Sequence, residues 1–302
     1  MSDELAEKIN KLRKERDAVI LAHNYQIGEV QDIADFTGDS LGLSIEASKV
    51  TAKVIVFCGV YFMAETAKII CPDKTVLVPD DHAGCPMANM ITVRQLRDAK
   101  KRHPDAKVVC YVNSTAVVKA ESDICCTSAN AVKVINSIPK ENEIIFVPDQ
   151  SLGDYAAKQT GRKIILWEGY CPTHHRILAQ DVKSMKEKHP SAKVMVHPEC
   201  TADVIELADV ALSTSGMLKY AKESDEKEFI VGTEIGLLHS LHKANPDKIF
   251  YPVSPLSDCP NMKLNTLEKI LWSLEDMVYE VTVQEDIRIK AWDAIDRMLK
   301  LT

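Results

Sequence analysis

The sequence predicts an α/β fold made of three related αβα units, each with a parallel four-stranded sheet, arranged about a pseudo-threefold axis. Two observations lead to this prediction. Three Cys-Pro pairs, at Cys85, Cys171 and Cys259, are separated by 86 and 88 residues, and such a fixed period is the mark of a structural repeat. Strand-like and helix-like stretches also alternate along the chain, as parallel strands with helical crossovers require.

Other features return with the same period. The strand-like runs AVILAHNYQ, KVVCYVNST and KVMVHPECT place a polar side chain where each strand is expected to end, 88 and 86 residues apart: His23, Tyr111 and His197. Hydroxyl residues follow at steps of 87: Ser40, Thr127 and Thr214. Several independent features share this spacing, so chance does not explain it.

The second unit shows the expected architecture most clearly. Strand-like runs near residues 107–112, 123–126, 143–147 and 163–167 are separated by helix-like stretches. These runs are continuously apolar and rich in β-branched residues, which favours a parallel sheet covered by helices on both faces. We therefore predict units at residues 1–88, 89–174 and 175–261, with helices in 262–302 packing on the first unit.

Helix starts can be predicted between the units. Thr92 with Gln95 fits a capping box, and Asn265 with Glu268 fits a second one, because a short polar side chain followed three residues later by Glu or Gln satisfies free N–H groups at a helix start. The second box precedes an apolar stripe typical of a helix packed on a core: Leu267, Ile270, Leu271 and Leu274.

Composition and charge narrow the class of protein. The net charge of -7 argues against nucleic acid as the main partner, since binding to a phosphate backbone needs clustered Lys and Arg. No apolar run approaches the roughly 20 residues that a bilayer span needs, and the charged start MSDELAEKINKLRKERD does not resemble a signal peptide. The expectation is a cytoplasmic protein without a membrane segment that acts on small metabolites.

The nine cysteines contain no CxxC pair, so any metal site must be assembled from distant parts of the chain. If the three units face one another, Cys85, Cys171 and Cys259 meet at the axis. Three thiolates suit either a single Zn²⁺ with one open position or a cubane cluster with one iron free of cysteine. The alternative is that they are small buried residues, which is the interpretation given to the other six: Cys58, Cys71, Cys110, Cys125, Cys126 and Cys200.

Polar residues near these positions are candidates for proton transfer and anion binding. Five are acid-base candidates because each follows a strand or lies near a cysteine of the periodic trio: His23, Tyr25, His174, His197 and Glu199. Hydroxyls at helix starts suit phosphate or carboxylate, although ordinary N-capping is the alternative: Ser40, Thr127, Ser128, Ser213, Thr214 and Ser215.

Ordered motifs along nearly the whole chain resemble the quinolinate synthase family. They include AHNYQ (22–26), GDSLGLS (38–44), YVNST (111–115), CTSANAV (126–132), PDQSLG (148–153), GYCPTHHR (169–176), HPEC (197–200), STSGM (213–217) and GTEIGLLHSL (232–241), together with the segments around Cys85 and Cys259. The resemblance implies three pseudo-equivalent units around one [4Fe-4S] cluster. It also implies condensation of iminoaspartate with dihydroxyacetone phosphate to quinolinate, phosphate and water, in NAD synthesis.

The resemblance assigns residues as well. It implies that Cys85, Cys171 and Cys259 hold the cluster and leave one iron open, and that Tyr25, His174 and Glu199 take part in catalysis. The implied substrate contacts are His23, Ser40, Tyr111, Asn113, Ser128, His197, Ser213 and Thr214. An aspartate oxidase or dehydrogenase is implied as a functional partner. Two other functions stay open: an Fe-S or Zn²⁺ hydro-lyase acting on another small acid, and a non-catalytic protein that binds phosphorylated metabolites.

Overall fold

The computed structural model describes residues 2–301 and contains three parallel four-stranded sheets, one for each predicted unit. In every sheet the strands lie in the same spatial order, with the second strand of the unit at one edge, then the first, third and fourth. The predicted α/β class with three related units is confirmed. No helix within these residues is long and apolar enough to cross a membrane.

The first unit follows helix α1 (Ser2–Glu15). Its strands are β1 (Ala18–His23), β2 (Phe36–Gly38), β3 (Val54–Cys58) and β4 (Thr75–Leu77), and its helices are α2 (Gly28–Ile33), α3 (Ser40–Lys49) and α4 (Tyr61–Ile70). The central strands β1 and β3 are buried almost throughout, because helices cover both faces of the sheet.

The second unit follows helix α5 (Val93–Arg102), which begins with the predicted capping box of Thr92 and Gln95. Its strands are β5 (Lys107–Tyr111), β6 (Ile124–Cys126), β7 (Ile144–Val147) and β8 (Ile165–Leu166), and its helices are α6 (Ala116–Lys119), α7 (Ala131–Ser137) and α8 (Gln150–Thr160). All four strand predictions for this unit are confirmed. Gly161 ends α8 at a φ of 64°, where a residue without Cβ is favoured.

The third unit follows helix α9 (Ala179–Lys188). Its strands are β9 (Lys193–Val196), β10 (Val210–Ala211), β11 (Glu228–Gly232) and β12 (Ile249–Pro252), and its helices are α10 (Ala202–Ile205), α11 (Thr214–Glu223) and α12 (Leu237–Ala244). The inner faces of the first and third sheets share one apolar core that includes Leu21, Phe57, Met195 and Phe229.

Helix α13 (Leu267–Asp276) follows the third unit and packs with α1 against β3 of the first unit. Its stripe residues are all buried there, as predicted. The helices α5 and α9 likewise follow one unit and pack on the next, so α13 closes the ring of three units. The predicted box at Asn265 is wrong by one residue: Thr266 caps α13 and accepts from Lys269 N, whereas Asn265 donates its side-chain amide to the Gly59 carbonyl at 2.9 Å.

Helix α14 (Glu285–Leu299) departs in part from the prediction that the helices of residues 262–302 pack on the first unit. It lies mainly against β6 and α6 of the second unit and also contacts α4 of the first. Its buried side chains join the core of the second unit: Ala291, Ala294, Ile295 and Met298. An apolar stripe shows that a helix has a face to bury, but it does not specify which sheet covers that face. The unit boundaries at 88/89 and 174/175 stay predictions.

Candidate active site

A cavity of about 150 Å³ lies where the carboxyl ends of the three sheets face one another, which is where open parallel sheets bind ligands. That volume admits roughly ten water molecules at 10–15 Å³ each. All the predicted metal-binding and catalytic residues line it. So do all the predicted substrate-binding residues except Ser213: His23, Ser40, Tyr111, Asn113, Ser128, His197 and Thr214.

The pairing of strands explains why these residues converge. His23, Tyr111 and His197 occupy the same position at the carboxyl end of the first strand of each unit. Two residues further on, the equivalent positions carry Tyr25, Asn113 and Glu199. Each position therefore contributes three different side chains to one cavity, so a chemically asymmetric site is built on a symmetric frame.

The register corrects the predicted series of hydroxyls. Gly38 pairs with His23 and Cys126 pairs with Tyr111, and Leu212 occupies the corresponding place beside His197 because Ala211 pairs with Val196. Two residues beyond these positions lie Ser40, Ser128 and Thr214, so Ser128 is the true equivalent in the second unit. The prediction that placed Thr127 in this series was one residue out, because sequence spacing does not reveal strand register.

The hydroxyls differ in how they are used. Ser213 caps α11 by accepting from Gly216 N at 3.2 Å, so N-capping accounts for its oxygen, and its substrate role stays a prediction. Ser128 Oγ lies 3.1 Å from His197 Nε2, and Thr214 Oγ1 accepts from the Asn24 amide at 2.9 Å. Helix α3 is capped by Asp39 rather than by a hydroxyl, so Ser40, which lines the cavity, does not serve as the cap.

Glu199 contacts several other side chains of the cavity and is only 3% exposed. Its Oε1 accepts from Tyr111 Oη at 2.7 Å and from the Asn113 amide at 3.2 Å, and its Oε2 lies 2.7 Å from His174 Nδ1. Burial alone would raise the pKa of Glu199, but the nearby charge and hydrogen bond of His174 outweigh burial and hold the pKa well below its usual range. The carboxylate is therefore ionised.

His174 contacts this carboxylate directly, and Tyr25 contacts the other nitrogen of the His174 ring. Tyr25 Oη is 3.3 Å from His174 Nε2, and both atoms contact Thr233 Oγ1, at 2.6 and 2.9 Å respectively. Burial and the charge of Glu199 raise the pKa of Tyr25 and of Tyr111 well above the usual value. Both phenols are therefore protonated hydrogen-bond donors at neutral pH.

The two histidines at strand ends are neutral. Burial lowers the pKa of His23 to about 4 and that of His197 to about 3, although nearby carboxylates oppose the shift. A neutral imidazole has one donor and one acceptor nitrogen. Nδ1 of His23 and of His197 accepts from the backbone N–H of Tyr25 and of Glu199, at 3.2 and 3.3 Å respectively. Each ring therefore carries its proton on Nε2, where it can donate one hydrogen bond without adding a positive charge to the cavity.

Cys85, Cys171 and Cys259 line the cavity as free thiols, one from each unit. Each precedes a short 3-10 helix, and these helices are Met87–Asn89, His174–Arg176 and Met262–Leu264. Burial is the main cause that raises the pKa of all three, that of Cys85 to about 12. A bound metal would offset this penalty, because a coordinating thiol is deprotonated outright. The trio therefore fits a metal centre with three cysteine ligands.

A second donor set overlaps the trio. Cys171 Sγ, His174 Nδ1 and a carboxylate oxygen of Glu199 all lie within 4.8 Å of one another, a mixed set that could hold a single Zn²⁺. The other six cysteines are buried away from the cavity. The structural interpretation of those six fits this position, and Cys71 caps the end of α4 just as Asn245 caps the end of α12.

Three residues near the cavity were missed by sequence reasoning: Arg176, Thr233 and Glu234. Arg176 and Glu234 line the cavity, and Thr233 contacts Tyr25 and His174 from just outside it. Thr233 and Glu234 lie in the motif GTEIGLLHSL, and Arg176 ends GYCPTHHR. The motifs were the available signal, but the search for repeated positions passed over residues that occur in only one unit.

A family model described as quinolinate synthetase A protein matches residues 7–300 of the chain. A quinolinate synthase of Methanosarcina barkeri is 60% identical over 296 residues, which cover 98% of this chain and 97% of the relative. The chain belongs to the quinolinate synthase family. Quinolinate synthases of Dehalococcoides mccartyi and Thermodesulfovibrio yellowstonii are 58% and 55% identical, over 98% and 100% of this chain and 98% and 99% of the relatives.

Membership in the quinolinate synthase family confirms the predicted resemblance and the prediction of an enzyme. The alternative of a non-catalytic binding protein is thereby set aside. The three-unit fold agrees with this family, and the cavity supplies acid-base groups, hydroxyls and thiols in one place.

Proposed function

We propose that the chain condenses iminoaspartate with dihydroxyacetone phosphate to give quinolinate, phosphate and water, and that the cavity holds one [4Fe-4S] cluster. The observation that carries this proposal is the convergence of three thiols, one from each unit, beside the buried pair of Glu199 and His174. The proposal is also supported by near full-length similarity to proteins named quinolinate synthase.

Cys85, Cys171 and Cys259 would hold the cluster, because each lines the cavity, whereas the other six cysteines are buried members of the apolar cores. When bound, such a cluster supplies a Lewis acid at the iron that lacks a cysteine ligand. A cytoplasmic location belongs to the same proposal, since thiols stay reduced there. Cell fractionation that found the protein outside the cytoplasm would contradict this location.

Substrate binding falls to the hydroxyls and neutral histidines at the strand ends. Both proposed substrates carry anionic groups, a phosphate on one and two carboxylates on the other. Ser40 and Thr214 are the first residues of α3 and α11, where free N–H groups and the helix dipole favour an anion. His23 and His197 stay uncharged and can each donate one hydrogen bond, which orients the anions without neutralising them.

Proton transfer falls to Glu199 and Tyr25. The ionised Glu199, held by Tyr111 and His174, would accept a proton from a carbon next to a carbonyl or imine. Tyr25, kept protonated by burial, would donate to a developing negative charge on oxygen. His174 lies between the two and fixes their relative orientation through its two ring nitrogens.

The proposal is tested by anaerobic purification, followed by analysis of iron, acid-labile sulfide and zinc. Dihydroxyacetone phosphate is then added with an aspartate oxidase or dehydrogenase as the source of iminoaspartate, and quinolinate is measured. About four irons and four sulfides per chain, with quinolinate formed, support the proposal. Four irons without product favour a hydro-lyase acting on another small acid, zinc favours the Cys171, His174 and Glu199 set, and the absence of metal overturns the assignment of the three cysteines.

A further inference from the structure

Asn24 is a buried amide just beyond the carboxyl end of β1, and its side chain reaches the third unit. Its Nδ2 donates to Thr214 Oγ1 at 2.9 Å. Asn24 has no exposed surface and does not line the cavity, whereas Thr214 is the first residue of α11 and does line it. A residue behind the cavity wall in one unit therefore holds a side chain of the wall in another.

The stability of the frame does not account for an amide at this position. The Oδ1 atom of Asn24 has no hydrogen-bond partner among the residues that the structure describes, and a buried polar atom without a partner costs free energy. The equivalent residues of the other two units are Val112 and Pro198, which are buried and apolar. The frame thus accepts an apolar side chain here, so the bond to Thr214 is what an amide adds.

The backbone around Asn24 keeps this amide in place. Asn24 N donates to the Gly38 carbonyl at 3.0 Å, and the Asn24 carbonyl accepts from Gln31 Nε2 at 3.2 Å. Gln31 Nε2 also donates to the Gly236 carbonyl of the third unit at 2.9 Å. The strand end of the first unit is thereby tied to the third unit beside the amide, which fixes the amide relative to Thr214.

The direction of the bond decides what the Thr214 hydroxyl can offer. A hydroxyl has one proton and two lone pairs, so an oxygen that accepts from Asn24 keeps its own proton for another acceptor. Asn24 is the only hydrogen-bond partner that the described residues give to Thr214 Oγ1. The reversed amide would leave both N–H protons of Asn24 without an acceptor, whereas the observed one uses a proton on Thr214. The hydroxyl is therefore available as a donor, as an anion requires.

Thr214 depends on this partner for its orientation. A threonine in a helix divides between two χ1 rotamers, and the neighbouring Ser213 supplies the cap of α11. Capping therefore does not select a rotamer for Thr214. The amide of Asn24 does, and it holds the hydroxyl at the start of α11, where free N–H groups also favour an anion.

We propose that Asn24 is a positioning residue, whose amide holds the Thr214 hydroxyl as a hydrogen-bond donor to an anionic group bound in the cavity. This inference rests on the proposed function, in which both substrates and the product carry phosphate or carboxylate groups. Asn24 does not need to touch substrate, because it acts through Thr214.

The role is tested by the steady-state kinetics of Asn24→Ala, Thr214→Val and the double variant. Asn24→Ala should raise the KM for dihydroxyacetone phosphate or the inhibition constant of quinolinate about tenfold, the most that one such hydrogen bond contributes to affinity, with little change in kcat. A higher KM identifies the anion as a phosphate, and a higher inhibition constant identifies it as a carboxylate. Because Asn24 acts through Thr214, the double variant should bind no more weakly than Thr214→Val.

The matched control is Asn265→Ala. Asn265 is also fully buried, donates its amide to the Gly59 carbonyl at 2.9 Å and has an Oδ1 without a partner in the described part of the chain, but it does not line or contact the cavity hydroxyls. Urea unfolding should show comparable stability for the two alanine variants, while only Asn24→Ala binds the anion more weakly. Wild-type constants in Asn24→Ala, equal weakening in the control, or multiplied losses in the double variant would each overturn the role.

Anion binding separates a failure of this inference from a failure of the proposed function. If the wild-type chain forms no quinolinate, calorimetric titration of the same variants with quinolinate and with inorganic phosphate replaces the kinetics, and unchanged dissociation constants in Asn24→Ala contradict the role. If the wild type binds neither anion, the crystal structure of Asn24→Ala decides. A Thr214 side chain that leaves its wild-type rotamer supports the role, and one that keeps it contradicts the role.

Discussion

The interior of β9 and the residues just beyond its carboxyl end are buried to nearly the same extent but differ in chemistry. Val194, Met195 and Val196 are fully buried and apolar, whereas His197 and Glu199 are 4% and 3% exposed. Burying apolar surface stabilises the fold by roughly 25 cal/mol per Å², while burying a charged or polar group costs free energy unless it is fully paired. The strand interiors therefore provide stability, and the strand ends hold groups that only function can explain.

The largest difference between cavity and core residues is expected for the cysteines. Cys171→Ala should remove the iron and lower turnover at least about 1000-fold, because a bound Lewis acid contributes several kcal/mol to a reaction barrier. Cys58→Ala removes a thiol that is buried in a core and should cost only about 1 kcal/mol of unfolding free energy. Iron analysis, turnover and urea unfolding check both variants. Equal iron contents in the two would remove the distinction between cavity and core thiols.

Glu199→Gln tests the polar strand end directly. Turnover should fall about 100- to 10,000-fold, the range contributed by general acid-base groups, while iron content stays at the wild-type level. The control is Glu223→Gln, whose carboxylate is 65% exposed on α11 and should leave turnover intact. Loss of iron in Glu199→Gln would instead make Glu199 part of the metal centre.

Phe146→Ala tests the interior of a strand. Phe146 is fully buried in β7, so its truncation should cost about 3–5 kcal/mol of unfolding free energy through lost burial and a residual cavity. The fraction that remains folded should turn over normally. Phe36→Ala, at a position that is 39% exposed in β2, is expected to cost far less. If Phe146→Ala unfolded like wild type but turned over poorly, the separation between stability and function would be wrong.

The smallest expected effect concerns helix N-caps, one of which lies near the cavity and another at the surface. Ser213 caps α11 near the cavity and Thr92 caps α5 at the surface, so Ser213→Ala and Thr92→Ala should each cost about 1 kcal/mol of unfolding free energy. Only Ser213→Ala should also raise KM, by several-fold. Chemical denaturation and steady-state kinetics decide, and equal KM values would restrict Ser213 to capping.

The fold could be predicted because its signals are local and repeated. The Cys-Pro pairs and the polar ends of β1, β5 and β9 keep one period, and apolar continuity identifies each buried strand. The errors arose where contacts across elements decide. Ser128, not Thr127, belongs to the hydroxyl series because strand pairing sets the register. Helix α14 packs mainly on the second unit because that unit's edge offers the matching apolar surface, which a stripe alone cannot specify.

The sequence by itself determined the three units, the three cavity cysteines and most of the polar side chains around them, since periodicity and residue type are properties of the chain. Only the tertiary structure decided how Tyr25, His174, Glu199 and Thr233 are joined. These residues come from three different units and meet within about 3 Å, the range of a hydrogen bond. Such contacts depend on how whole sheets pack against one another, and packing across units leaves no fixed spacing in the sequence.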